Sequence, residues 1–448
     1  MKKTITSLLL TTVFFIRPAL ADLDPFSVYA AKAPEGCIDA PLKKGELTLP
    51  ELVQIGICNN PTLNRGYMSV KAAEANFGQS KAAYLPEVTA SASARQTNEK
   101  VENAGTAKAY PYSGNVALSW LVYDFGGRSA KTEQMKAYLD SAEFTYNATL
   151  HDTVLAINQA YFDLLSAQEV LKSTQESEKT FKKSFEESKK RFELGLASAS
   201  DKLLAKTSYE QSRLDVVQAG NTLKKAKGAL AVLLNLSPDT ELKVTTPKKD
   251  KDITKLETDE TVQQLMEKAL TLRPELQSMK SQLTAAQREV DIIKASNYPS
   301  ISAGASAGYG DSWRKNRPYT VDTSVGLSLS VPLFTGFSNA YKEAHAQYQQ
   351  RQAALSVLET EDSVRKDVWN SYQDYLTASE AYRISLTLQD SAKENERVAF
   401  ASYQVGKGNI LELLTAGSQL ASAKQQVIVA FYSVLTSKAN LYRAIGRF

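Results

Sequence analysis

The sequence predicts a mainly α-helical chain with a β part that meets a membrane, built on a duplicated helix–hairpin–long-helix repeat. Three observations predict this. Residues 128–194 and 337–405 run for 67 and 69 residues with neither glycine nor proline. Four short segments alternate apolar with small polar residues. The same landmarks occur twice, offset by about 211–213 residues, and duplication at one period means two similar structural halves.

The first element is expected to be absent from the mature protein. Met1-Lys2-Lys3 is basic, Thr4 to Ile16 is apolar, and Ala19 and Ala21 are small residues at a cleavage point. That is the pattern of a secretory signal peptide, too short for a spanning helix. No cysteine follows at the cleavage point, so a lipid anchor is not expected there. The formal charge is +4; without Lys2, Lys3 and Arg17 it falls to about +1, which argues against a nucleic-acid partner. No later apolar run reaches the roughly 18–20 residues of a membrane helix, so any crossing must use strands.

Cys37 and Cys58 follow the signal. An exported chain sits in an oxidising compartment, so a disulfide closing about 20 residues is expected, worth roughly 3 kcal/mol in the chain-entropy model. Two buried free thiols are the alternative. The only histidines, His151 and His345, lie far from either cysteine in sequence. No metal site and no cofactor are therefore expected.

The repeats order the rest. Asn60-Pro61-Thr62-Leu63 returns as Arg273-Pro274-Glu275-Leu276, Tyr84-Leu85-Pro86 as Tyr298-Pro299, and Phe192-Glu193-Leu194-Gly195 as Tyr403-Gln404-Val405-Gly406. The expected organisation is a signal at 1–21, an extension at 22–46, repeat one at 47–237, a polar connector at 238–260 and repeat two at 261–448. Each breaker-free stretch would form a helix on the order of 100 Å long. Apolar residues recur three and four apart, as at Leu150, Val154, Ile157, Tyr161 and Leu164, and again at Leu355, Leu358, Val364, Val368 and Tyr372. One apolar stripe on a charged helix predicts antiparallel coiled-coil-like pairing with the return segments at about 200–236 and 409–445. A solvated scaffold coil would carry the same stripe.

The strands separate those two outcomes. Near 320–332, Val321, Val325, Leu327 and Leu329 alternate with Asp322, Ser324, Gly326 and Ser328. Segments near 87–95, 112–123 and 299–309 alternate likewise, with Tyr84, Tyr112, Tyr123, Phe125, Tyr298, Tyr309, Tyr319 and Phe334 near their ends. Such alternation, flanked by aromatics, marks a membrane barrel with a wet lumen. The stretches 96–110 and 310–318 are expected as cell-surface loops. Four strands cannot close a barrel, and open edges are not tolerated in hydrocarbon, so copies must pool strands. The residues alone do not choose among rings of two, three or four copies.

With these landmarks the chain resembles the TolC family of outer-membrane efflux and secretion channels. The specific marks are the paired Asn60-Pro61 and Arg273-Pro274 corners, the strand ends Tyr123-Asp124-Phe125-Gly126-Gly127 and Val331-Pro332-Leu333-Phe334-Thr335-Gly336, and the glycine turns at 195 and 406. The resemblance runs from about residue 47 to 445. It implies a homotrimer with a twelve-stranded outer-membrane barrel and a helical tunnel in the periplasm. It implies a periplasmic adaptor (membrane fusion) protein and an inner-membrane ABC exporter or proton-driven pump as partners. It also implies that Gly195, Leu196, Ser198, Gly406, Lys407 and Gly408 form the tunnel tip, closed at rest, where the adaptor docks.

The family carries carboxylates six residues after each turn glycine, here Asp201 and Glu412, as a periplasmic gate; where relatives often place a further acid, this chain has Thr415. Ser198-Ala199-Ser200-Asp201 and Asn409-Ile410-Leu411-Glu412 read equally as helix caps. The extension with its cysteine pair resembles channels of type I protein secretion; drug efflux is the alternative. A soluble periplasmic coiled-coil scaffold is the alternative of another class. An enzyme is not expected, because no nucleophile–base grouping, metal spacing or phosphate loop is present.

Overall fold

The structure is a computed structural model and describes residues 46–101, 105–246, 253–255, 260–312 and 319–447. The first repeat contains α1 (Leu49–Asn59), α2 (Pro61–Ala82), β1 (Glu87–Ala94), β2 (Thr97–Val101), β3 (Gly105–Ala109), β4 (Pro111–Tyr123), α3 (Gly127–Glu193) and α4 (Ala199–Leu233). The second contains α5 (Val262–Leu272), α6 (Pro274–Ala295), β5 (Ser300–Ser312), β6 (Thr320–Ser330), α7 (Ser338–Gln404) and α8 (Ile410–Ile445). Both long helices have 67 residues. No described helix is long and apolar enough to cross a membrane.

The chain divides into two compact units, and each takes a share of both repeats. One holds Met68–Glu143 and Ser278–Leu358. Its centre is an antiparallel four-stranded sheet of order β1-β4-β5-β6, so the hairpins of the two repeats join through β4 and β5. Beside the sheet, α3 packs on α6 through polar contacts. Gln134 donates to the Ala285 carbonyl at 3.4 Å, and the Ser141 and Ser278 hydroxyls meet at 2.9 Å.

The expected loop at 96–110 is instead partly strand. β2 and β3 pair as a separate two-stranded sheet, Thr97 opposite Ala109 and Val101 opposite Gly105. Pairing satisfies backbone groups that a loop would leave to water, and Thr97, Val101 and Thr106 are strand formers. In the second hairpin β5 continues to Ser312, and 313–318 lie outside the described residues. Leu355 and Leu358, expected on a covered stripe, are 60% and 55% exposed.

The other unit holds Phe144–Gln277, Glu359–Phe448 and the described part of Ala33–Tyr67. Its cores follow the predicted stripe. Ile157, Tyr161, Leu164 and Leu165 of α3 pack with Leu52 of α1 and Leu230 and Leu234 at the end of α4. Val364, Val368 and Tyr375 of α7 pack with Leu265 of α5 and Leu441 of α8. The segment after α4 is less polar in role than in composition. Leu242 and Val244 are buried, Leu47 pairs with Val244 in a parallel bridge, and the Tyr161 hydroxyl donates to the Thr245 carbonyl at 2.5 Å. The Tyr375 hydroxyl holds the Thr254 carbonyl at 2.9 Å.

The helix starts explain the corners. Thr48 and Thr261 form capping boxes with Glu51 and Gln264. At the Asn-Pro corner, the Asn60 side chain accepts from the Thr62 N–H at 2.8 Å. At the Arg-Pro corner the chain is held by charge. Arg273, 4% exposed, donates to Asp367 at 2.8 Å and to Glu275 at 3.3 Å. Arg443 of α8 binds both Glu275 and Asp152.

Candidate functional site: strand sheet and helical tips

The register of the sheet gathers like with like. Val88, Leu118, Ala305 and Val325 are successive cross-strand partners, and so are Ala90, Val116, Ala307 and Thr323. One residue along, Thr89, Ala117, Ser306 and Ser324 align, and so do Ser91, Asn115, Gly308 and Asp322. Because strand side chains alternate, one face is apolar and the other small and polar across all four strands. Hydroxyl pairs knit the polar face, Ser93 to Ser113 at 2.9 Å and Ser306 to Ser324 at 2.8 Å. The apolar face is open: Val325 is 89% and Leu327 78% exposed. Among the described residues β1 pairs only with β4 and β6 only with β5, so both outer edges carry unmatched backbone groups.

Aromatics rim both ends. Tyr112, Tyr309 and Tyr319 cluster beside the hairpin tips, with the Tyr112 hydroxyl on Asp311 at 2.8 Å. At the helix end Tyr123 meets Phe125 at 4.8 Å, Phe125 stacks on Tyr298 at 5.3 Å, and Phe334 meets Phe337 at 5.7 Å. The strand-to-helix joints share one backbone device. Phe125 and Gly126 have φ of 52° and 89°; Gly336 and Phe337 both have φ of 63°. Two consecutive left-handed residues mark each passage from strand to helix. Arg128 locks the first, donating to the Leu121 and Val122 carbonyls at 2.5 and 3.0 Å over the Tyr84 ring. Sequence reasoning missed Arg128, although its place directly after Gly126-Gly127 was a signal.

At the helical tips, Gly195 and Gly406 adopt φ of 73° and 74°. The Leu196 N–H returns to the Arg191 carbonyl at 2.8 Å, and the Lys407 N–H to the Ser402 carbonyl at 2.9 Å. These are matching Schellman-type ends, which favour glycine at the left-handed position. Gly408 has a different reason: a Cβ there would stand 3.2 Å from the Tyr403 backbone nitrogen. Leu194, Leu196 and Val405 are 73%, 65% and 69% exposed.

The two carboxylates are used differently. Asp201 and Ser198 form a reciprocal box, each side chain accepting the other's N–H at 3.1 Å. The Glu412 N–H donates to Asn409 Oδ1 at 2.8 Å, while among the described residues the Glu412 carboxylate takes only the Asn409 side-chain amide, at 3.0 Å. Asp201 is thus tied to backbone, and Glu412 is exposed on a side-chain tether. Thr415, at the position where a further acid would stand, is exposed one turn on. Cys58 is disulfide-bonded in α1. Cys37 lies outside the described residues.

A family model described as outer membrane efflux protein matches residues 52–236 and 265–447. The protein CyaE of Bordetella pertussis is 27% identical over 439 residues, covering 96% of this chain and 90% of its own. The outer membrane protein TolC of Escherichia coli K12 is 25% identical over 415 residues, covering 89% and 82%. Among solved structures, the outer-membrane channel OprN superposes with a TM-score of 0.79 at 21% identity, covering 89% of this chain and 90% of its own.

Proposed function

This chain belongs to the outer membrane efflux protein family, and from that premise we propose that three copies form the passive exit duct of a type I protein secretion system. The observation that carries the reading is the sheet: four strands, one continuous apolar face and two unmatched edges. In a bilayer such edges must find partners. Joining β6 of one copy to β1 of the next supplies them, and three copies contribute twelve strands in all. The polar face then lines the lumen. Crosslinking of the detergent-extracted protein is expected to stop at three subunits. A limiting dimer or tetramer would overturn the trimer.

The helical tips then form the periplasmic mouth, with their exposed leucines and valine available to an adaptor, and an inner-membrane ABC exporter supplying the energy. Deleting the gene should abolish release of one exported protein. Unchanged secretion with a new drug sensitivity would favour efflux driven by a proton-dependent pump.

Within this duct Glu412 is the selectivity residue. Three copies around one narrow opening would attract cations and resist anions, and its carboxylate makes no bond to the backbone of its cap. Asp201, held in its box, serves as a cap. In planar bilayers Glu412→Gln is expected to reduce cation preference several-fold, while Asp201→Asn mainly lowers the melting temperature. Unchanged selectivity in Glu412→Gln would assign the gate elsewhere.

A further inference from the structure

The apolar face of the sheet is not level. Between the row Ala90, Val116, Ala307 and the row Ala92, Gly114, Tyr309 it dips into an open depression lined by these six residues. Gly114 makes the dip, and nothing in the described chain asks for a glycine there. It is not among the glycines of positive φ, and a Cβ on it would meet no atom of the described residues within 4 Å. A glycine inside a strand weakens it and often marks a place where another molecule comes close.

The wall toward the hairpin tip is aromatic and held in place. Tyr309 stacks on Tyr319 at 6.0 Å and lies 6.5 Å from Tyr112. Asp311 accepts from the Tyr112 and Tyr309 hydroxyls at 2.8 and 3.4 Å, so its charge is already met by two donors. Beyond this rim the hairpin continues in the same register. The pairs Ala94–Tyr112 and Thr97–Ala109 keep one count, and between them the Arg95 N–H donates to the Pro111 carbonyl at 2.9 Å. Strand alternation therefore carries Tyr110 and Lys108, both exposed, to the side of Tyr112. Lys108 stands four residues past Tyr112, about 13 Å along the strand.

We propose that this column is a lipid seat: an acyl chain of an outer-leaflet lipid lies in the depression, and the lipid's phosphate meets Lys108. The seat rests on the barrel reading above. Two features choose this occupant. The depression lies on β1, β4 and β5 of a single copy, and ring closure joins copies edge to edge, so a neighbouring copy leaves it open to the bilayer. Its surroundings also follow the order of a lipid molecule, with an apolar gap first, aromatic rings next and a cation beyond them at the height of the headgroup.

The test titrates the detergent-extracted channel with bis-phosphorylated lipid A and counts bound lipid by mass spectrometry of the intact complex. Wild type is expected to retain up to three molecules per trimer. Gly114→Leu, which fills the depression, should weaken retention about tenfold. Lys108→Gln should weaken it several-fold. Removing the phosphates from the lipid should cost wild type the same amount and Lys108→Gln nothing further. Ala303→Leu enlarges a side chain of the same face outside the depression and should change nothing. Equal retention by Gly114→Leu and wild type overturns the seat, as does equal weakening in Ala303→Leu. Indifference to both Lys108 and the phosphates overturns the assignment to a phosphorylated lipid. A protein that leaves the membrane without detergent overturns the barrel reading and the seat with it. A detergent-extracted trimer that fails these comparisons overturns the seat alone.

Discussion

Val325→Arg is expected to destabilise the assembled channel by about 2–4 kcal/mol, and Ser324→Arg by far less. The two residues are neighbours in the middle of β6 and differ only in the face they occupy. Val325 lies in the row Val88, Leu118, Ala305, Val325, which in the proposed barrel faces hydrocarbon. A guanidinium there must be dehydrated or must distort the bilayer. Ser324 lies opposite Ser306, their hydroxyls 2.8 Å apart on the polar face. An arginine there stays in water and alters the lumen, so conductance and ion preference should change while stability holds. Reversible denaturant unfolding in lipid vesicles measures the difference. Equal losses in both variants would mean that the faces are assigned wrongly.

Arg273→Met is expected to lower stability by about 3 kcal/mol and to flatten the acid limb of the stability profile. Removing one member of a buried ion pair typically costs about 3–5 kcal/mol. The lower end applies because Asp367 and Glu275 keep 44% and 30% of their side-chain surface exposed and Glu275 retains Arg443. Burial alone would raise the Glu275 carboxyl. The hydrogen bond and charge of Arg273, a backbone N–H and the charge of Arg443 outweigh it and hold the carboxyl below its usual range. A depressed carboxylate stabilises the fold above its unfolded value near pH 4.3, and that contribution disappears as pH falls through the lower folded value. Thermal unfolding between pH 7 and pH 3 should show a steep acid loss in the wild type and a shallower one in Arg273→Met. Parallel profiles would remove this network from the account of acid stability.

Much of this fold is written in local patterns. The 67-residue helices announce themselves by the absence of glycine and proline, and Ile157, Tyr161 and Leu164 by their spacing. The strands were legible because alternation has one period and one meaning, and their ends fell within a few residues of the observed ones. What escaped depends on partners distant in sequence. Nothing local says that Arg191 meets a carbonyl 212 residues away, or that Arg273 lies between Glu275 and Asp367. Composition also misled at the segment after α4, where a few apolar residues, Leu242 and Val244, decide the path. Charge and glycine hide the short pairing of β2 with β3, so that segment has the composition of a loop. At the tips, the spacing gave the capping pairs Ser198–Asp201 and Asn409–Glu412, but only geometry separated a carboxylate bound to backbone from one that is not.

The strand-to-helix joints bear on how the two halves could diverge. Each needs two left-handed residues in succession, and each uses one glycine and one phenylalanine, in opposite order. A phenylalanine in that conformation costs on the order of 1 kcal/mol more than a glycine, which the ring contacts to Tyr123 and Tyr298, and to Phe334, can offset. A glycine pair would satisfy both joints without strain. It lies one substitution from Phe125-Gly126 and one from Gly336-Phe337, so either order can be reached from a common precursor without passing through a backbone that cannot make the turn.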